Sequence, residues 1–453
     1  MRVDIRVSVQ RAALVLAVGL QGLAAAAQNT GTPPSEGAPT FSRDVAPILY
    51  SRCVSCHRAS EVAPMSLVTF QEVRPWAKAI REKVIAREMP PWHADPELGK
   101  FRNDRSLTAT EVDTIVRWVD GGVRQGDPSL TPAVPTFATG WQIGTPDVVF
   151  EMPVEYKIPA TGTIDYQYFE VPTHFSEDRW IQAGEVRAGN PEHVHHIIVS
   201  VIEPGPSTRP TVMSVRPIFP PGEGPAGPRQ LTDAQRAQLA LAARRAGAVS
   251  LVNWAVGEDA PVYPPGLAKR IPAGSTLVFQ VHYTTNGAAA SDRSKIGLIF
   301  AKEPPSSEIR TALIANTQFA IAPGASNQQV EAEATFSDDV KVWTMHPHMH
   351  LRGKDMTYTA IYPDGRREVV LRVPKYDFGW QTDYWLASPL SLPKGAKLHV
   401  TAHFDNSAAN HFNPDSSATV RWGDQTWEEM MIGYFTYTVD TPQRVSAARS
   451  DRP

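Results

Sequence analysis

Cysteine is nearly absent from this chain. The 453 residues hold two, Cys53 and Cys56, so no disulfide is left to tie distant segments together, and the rest of the fold must hold by packing. An excess of one charge sign is missing too: the net charge is −3, and no nucleic-acid surface is expected. Long apolar runs are missing after the N-terminal segment, so no membrane span is expected once that segment is removed. No internal repeat with a period of about 20–50 residues is visible. What is plentiful is proline. Forty prolines, many in short loops between apolar runs, favour a mostly β body. The length predicts about three domains.

The first residues read as a targeting segment. Arg2, Arg6 and Arg11 make it basic, Ala12 to Ala24 is apolar, and Ala25-Ala26-Ala27 offers a small-residue cleavage site before Gln28. Residues 1–27 are therefore expected to be a signal peptide and 28–40 a flexible leader. The mature protein is expected in the periplasm or outside the cell.

The two cysteines stand in Cys53-Val54-Ser55-Cys56-His57, the C-x-x-C-H pattern of c-type haem attachment. Thioethers form at the thiols, and His57 is placed to ligate the iron. A thioredoxin-like pair lacks the following His and sits on a βαβ pattern; a zinc knuckle needs further Cys or His nearby. Around the motif the pattern is helical. Ser42 precedes a short helix with Val45, Ile48 and Leu49. A second runs through Trp76, Ile80 and Val84. A third opens with the capping box Thr108-Ala109-Thr110-Glu111, carries Val112, Ile115, Val116 and Val119, and stops at Gly121-Gly122. This resembles a class I cytochrome c domain, placed at 41–128, with one covalent haem c. The sixth ligand is expected to be Met89, held by Pro90 and Pro91; Met65 is the rival.

Residues 129–145 read as a linker, and from Val148 short β runs take over. Pro204 to Arg229 is a Pro/Gly-rich excursion, and Asp233 to Arg245 reads as a helical insert. Histidines then gather at three places. His346, His348 and His350 alternate at the end of the strand-like run Val340-Lys341-Val342-Trp343-Thr344, and residues two apart share a face of a strand. His193, His195 and His196 open a second apolar run, and His282 sits in Val281-His282-Tyr283. Periodicity alone would pair His193 with His195. His195 and His196 share a metal only at a twist, a bulge or a strand end.

The ordered set of His195-His196-Ile197, Val281-His282-Tyr283, His348-Met349-His350 with Gly353-Lys354, and Glu428-Glu429-Met430 with Tyr434 resembles the copper monooxygenases. That family includes peptidylglycine α-hydroxylating monooxygenase and dopamine β-monooxygenase. The resemblance implies two consecutive jelly-roll sandwiches, at 146–303 and 304–445, with 446–453 a tail. It implies two coppers: an electron-transfer copper on His195, His196 and His282, and an oxygen-activating copper on His348, His350 and Met430, with Tyr434 beside the chemistry. Imidazole with a soft thioether suits copper better than zinc. In this scheme His193 and His346 are not ligands but are candidates to support them. The peptide-hydroxylating members carry Arg where this chain has His346, so a glycine-extended peptide is not the expected substrate.

The expected architecture is thus multidomain: a small all-α cytochrome c domain followed by two all-β jelly-roll sandwich domains. The expected activity is hydroxylation of a C–H bond of a small substrate with O2. A periplasmic donor would supply electrons, relayed from haem to copper. The competing expectation is a non-enzymatic copper and haem electron carrier, or a copper-binding module.

Overall fold

The computed structural model describes residues 37–440 apart from 60, 62, 138–139, 206–210, 220–223, 225–248 and 256. The signal peptide, most of the leader, the helix expected at Asp233 to Arg245 and the tail lie outside the described residues. The chain divides into two units, Met1–Ala38 and Pro39–Pro453. Among the described residues no helix is long and apolar enough to cross a membrane.

Among the described residues the α-helices lie between residues 46 and 120. They are Ala46–Arg52, continuing a π-turn at Phe41–Val45, then Phe70–Val73, Ala77–Ile85 and Ala109–Asp120. The Thr108 capping box is formed: its side chain accepts from the Glu111 amide, and the Glu111 carboxylate accepts from the Thr108 amide at 2.7 Å. A second box at Thr69 and Glu72 went unread. The helices share a core of Phe41, Val45, Leu49, Ile115 and Trp118, among others.

Everything after Val148 is strand and loop, apart from the undescribed stretches. One layer pair places Val148–Glu151, Lys295–Phe300, Arg179–Arg187 and Leu267–Ile271 opposite Gln167–Pro172, Thr276–Tyr283, Val194–Ile202 and Val249–Ala255. Ile181, Ile197, Val199, Phe279 and Leu298 fill the space between them. The other pair sets Arg310–Ala315, Ile432–Val439, Val340–His348 and Tyr384–Leu392 against a five-stranded sheet containing Gly353–Ile361, Lys397–Phe404 and Gln328–Phe336. Its core includes Val342, Met345, Tyr358, Val400 and Phe435.

The expected architecture of a separate all-α cytochrome domain and two consecutive jelly rolls is corrected by these pairings. The molecule is mostly β, and the helices belong to the same compact unit as the sheets. The segment between the third and fourth helices is built into the β part. Trp92 and Ala94 are buried in the second β core, and the Trp92 and Tyr384 rings meet edge to face at 4.9 Å. Phe101 bridges Leu386, and Asn103 exchanges hydrogen bonds with the backbone of Asp383 and Trp385.

The two β halves also trade strands. Met213–Ile218, which precedes the His282 strand in sequence, pairs with Gln328–Phe336 in the second half. Ser307–Glu308 pairs with Leu267–Ile271 in the first. Local periodicity finds strands but is silent on which distant strands they pair with.

Candidate metal and haem sites

His195 and His196 lie where their strand is irregular. Val194 pairs with Tyr283 and His196 with His282, so His195 is an extra residue in a bulge. Val194 and Ile197 both point into the core, and the two histidines between them both face away from it. The bulge resolves the alternative left open by periodicity: it brings His195 and His196 together with His282. Ring centroids are 5.3, 5.1 and 5.0 Å apart, and one nitrogen from each ring lies within 4.8 Å of the others. The Nδ1 atoms of His195 and His196 are 3.1 Å apart, and Nδ1 of His282 is buried with no partner. Burial lowers the pKa of all three, to about 3 at His282, so the rings are neutral bases at neutral pH. His193 stays outside the cluster, its Nδ1 against Asn190 Oδ1 at 3.1 Å.

The second set sits at a strand end. A bulge around Trp343 shifts the pleat, so that Val342 and Met345 both enter the core and His346 and His348 face the other way. His350 lies two residues beyond the strand's last residue, His348. His348 and His350 centroids are 5.3 Å apart. Each ring is held from behind at Nδ1: His348 by the Gln381 side-chain oxygen at 2.6 Å, His350 by the Glu428 carbonyl at 3.2 Å. That leaves Nε2 of both rings free of these contacts, and Nε2 of His350 is buried without a partner. Burial lowers both pKa values, to about 4 at His348.

Glu429 fixes the turn that carries His350. Its buried carboxylate accepts from the amides of His350 and Arg352 at 2.8 and 2.6 Å. Met431 is buried in the core, and the half-buried Met430 is the residue beside Glu429 left outside it. Tyr434 pairs with His346 across the sheet, its ring centroid 5.9 Å from His346 and 6.1 Å from His348.

His346 belongs to a different group. Its Nδ1 is 3.0 Å from Asp383 Oδ1, and Glu258 accepts from the Asp383 amide at 2.8 Å. Burial opposes the charged ring, but the Asp383 hydrogen bond and both carboxylates carry its pKa above the ordinary value. Burial and the neighbouring Asp383 push Glu258 up to about 8. These three residues offer atoms within 4.8 Å of one another, a convergence the sequence did not announce.

The Cys53-x-x-Cys56-His57 segment opens on a cavity of about 290 Å³. Both cysteines, His57, Ala63, Pro64, Met89, Pro90 and Pro91 line it, with Arg105 and Trp380. Both thiols are free, and burial pushes Cys53 up to about 12. His57 holds the Met65 carbonyl through Nδ1 at 3.2 Å, which turns Nε2 away from that contact. The Met65 side chain packs against the helical core, whereas Met89 lines the cavity. The residue types and the apolar enclosure fit a covalent haem. The two imidazole sets, with buried unpartnered nitrogens, fit soft or borderline metal ions such as copper.

Three residues that sequence reading missed complete the setting. Phe378 stacks on His195 at 5.1 Å, Gln381 orients His348, and Tyr166 lies 4.9 Å from the His282 ring with its hydroxyl buried and unpartnered. No periodic signal marks them. The spacing of three between Val194 and Ile197, and between Val342 and Met345, is the one legible trace of the bulges.

No protein-family profile matches the chain, and no curated protein is similar to it. Among solved structures, allantoicase from Saccharomyces cerevisiae aligns at 9% identity over 63% of this chain and 80% of its own, with a TM-score of 0.17. The major capsid protein P2 of bacteriophage PM2 aligns at 10% identity over 63% of this chain and 98% of its own, with a TM-score of 0.23. Likeness this slight carries no argument about fold or function.

Proposed function

We propose that this chain is an exported haem- and copper-containing monooxygenase that hydroxylates a C–H bond of a small substrate with O2. The observation that carries the reading is the convergence of two separate imidazole sets, each with bare ring nitrogens, in the same compact unit as a cavity lined by a haem-attachment motif.

His195, His196 and His282 would hold one copper. His348, His350 and Met430 would hold the other. Cys53 and Cys56 would bind the haem, with His57 and Met89 as axial ligands. When bound, these groups supply one-electron chemistry and oxygen activation, so that a C–H bond, O2, two electrons and two protons become C–OH and water. The chain's residues do the positioning. Gln381 and the Glu428 carbonyl fix the tautomers of His348 and His350, so that the free nitrogen of each ring is the basic one. The Glu429 carboxylate holds the His350 turn. Tyr434 stands beside His348, where substrate or water would meet it. A periplasmic donor would supply the electrons.

The test is metal and haem analysis of the mature protein, followed by O2 uptake against a panel of small C–H compounds with isotopically labelled oxygen. The expected result is one haem and two coppers per chain and label in a hydroxylated product. Oxygen uptake without product favours the electron-carrier reading. Preferential zinc binding, or a single copper, overturns the proposal.

A further inference from the structure

The segment Tyr376–Gln381 reaches the haem-motif cavity and both imidazole sets within six residues. Trp380 lines the cavity beside Cys53, Cys56 and Met89; the other lining residues, Arg52 to Arg105 in sequence, all come from the helical stretch. Two residues earlier, the Phe378 ring stacks on His195 at an interplanar angle of 21°. Its centroid is also 6.0 Å from that of His282, 6.5 Å from His196 and 5.9 Å from His350. One ring therefore adjoins both candidate metal sites. The Trp380 amide donates to the Asp377 carbonyl at 3.0 Å, closing a turn around Phe378 and Gly379. Gly257 makes room for the indole. It has φ of +83°, and a Cβ there would come within 3.3 Å of Trp380 Cζ3. Arg105, which also lines the cavity, donates to the Gly257 carbonyl, so the helical stretch and the sheets are fastened beside Trp380.

We infer that Trp380 and Phe378 form the electron path from the cavity behind Cys53 and Cys56 to the imidazole sites. The inference rests on the proposed haem and copper. An electron crosses bonded, packed atoms more readily than a water-filled gap, and this turn supplies a short covalent route between two rings at its ends. In each transfer one ferrous haem becomes ferric and one Cu(II) becomes Cu(I). The rings themselves are neither oxidised nor reduced. Because Phe378 adjoins His350 as well as His195, the path forks at that ring.

The experiment is anaerobic stopped-flow on the full mature protein. The haem is reduced and copper is Cu(II), and haem reoxidation is followed by absorbance. Metal content, haem potential and the copper EPR signals are measured for every variant. The parent should show a first-order phase independent of protein concentration. Trp380→Leu and Phe378→Leu should each slow that phase severalfold at unchanged haem and copper content and unchanged potential. Trp380→Phe, which keeps a ring, should recover most of the rate. Where Trp380→Leu does not accumulate, Trp380→Met removes the ring with a smaller loss of volume and should also slow the phase. Parent rates in both leucine variants at equal loading overturn the path while leaving the cofactor reading intact. A protein that takes up no haem or no copper, or transfers only bimolecularly, overturns that reading and the path together.

Discussion

At the His195/His196/His282 site the three imidazoles come from two paired strands and lean on one another. At the His348/His350 site each imidazole is held from behind, by Gln381 and by the Glu428 carbonyl. The first site is made by a bulge inside a ladder, so its geometry is set by strand pairing. The second is made at a strand end, where the chain is free to turn but needs outside groups to fix it. The contrast suits the division of labour proposed: a site that exchanges electrons gains from rigidity, and one that meets oxygen and substrate needs an open side.

The largest effect expected is complete loss of one metal and not the other. His282→Ala should abolish copper at the first site and His348→Ala at the second, each leaving one equivalent by metal analysis. If either variant loses both, the two sites are one and the contrast fails. Next comes Glu429→Gln. It removes a carboxylate that accepts two backbone N–H bonds and sets an amide NH2 against one of those donors. Burial raises the pKa of Glu429 to about 8, so the loss is that of a buried donor left without an acceptor, and the fold should be destabilised by about 1–3 kcal/mol in denaturant titration. Copper should fall at the second site alone.

Gln381→Leu sharpens the comparison further. Losing the acceptor behind His348 should weaken copper at the second site by roughly 10–100-fold, measured by competition with a chelator, with no change at the first. Met430→Ala should do less to Cu(II) than His348→Ala does, because a thioether is the weaker ligand to Cu(II), and more to Cu(I). The smallest effect is expected from pH. His282 and His348 have pKa values of about 3 and 4, so protons compete with metal only below that range. Copper loading should stay level from about pH 7 to pH 5, where exposed imidazoles with an ordinary pKa near 6.5 would lose it. A loss centred near pH 6.5 would mean that the rings are not buried as the structure has them.

Much of the local structure was legible. The Thr108 capping box, the Cys53-x-x-Cys56-His57 motif and the strand leading to His348 are short-range features, set by residues a few positions apart. Of the two adjacent methionines, Met431 is buried in the core and Met430, just ahead of the strand that begins at Ile432, is not. The strand partners were not legible, because pairs such as Met213–Ile218 with Gln328–Phe336 and Phe101 with Leu386 are far apart in sequence and no local pattern encodes them.

The sequence by itself determined which atoms are available: two thiols, one haem-motif imidazole, the paired histidines and the thioether of Met430. Tertiary structure decided which of them meet. His195 joined His196 because a bulge turned both to one face. His346 met Asp383, thirty-seven residues on, whose Oδ1 sits at its Nδ1. Phe378 and Trp380 came between the sites because the segment that carries them is held by Met349 through Tyr376 and by His348 through Gln381, and meets Gly257, residues distant in sequence from the cysteines and from His195. Side-chain chemistry is a property of each residue, whereas convergence is a property of register and packing, and those are fixed only when the whole chain has folded.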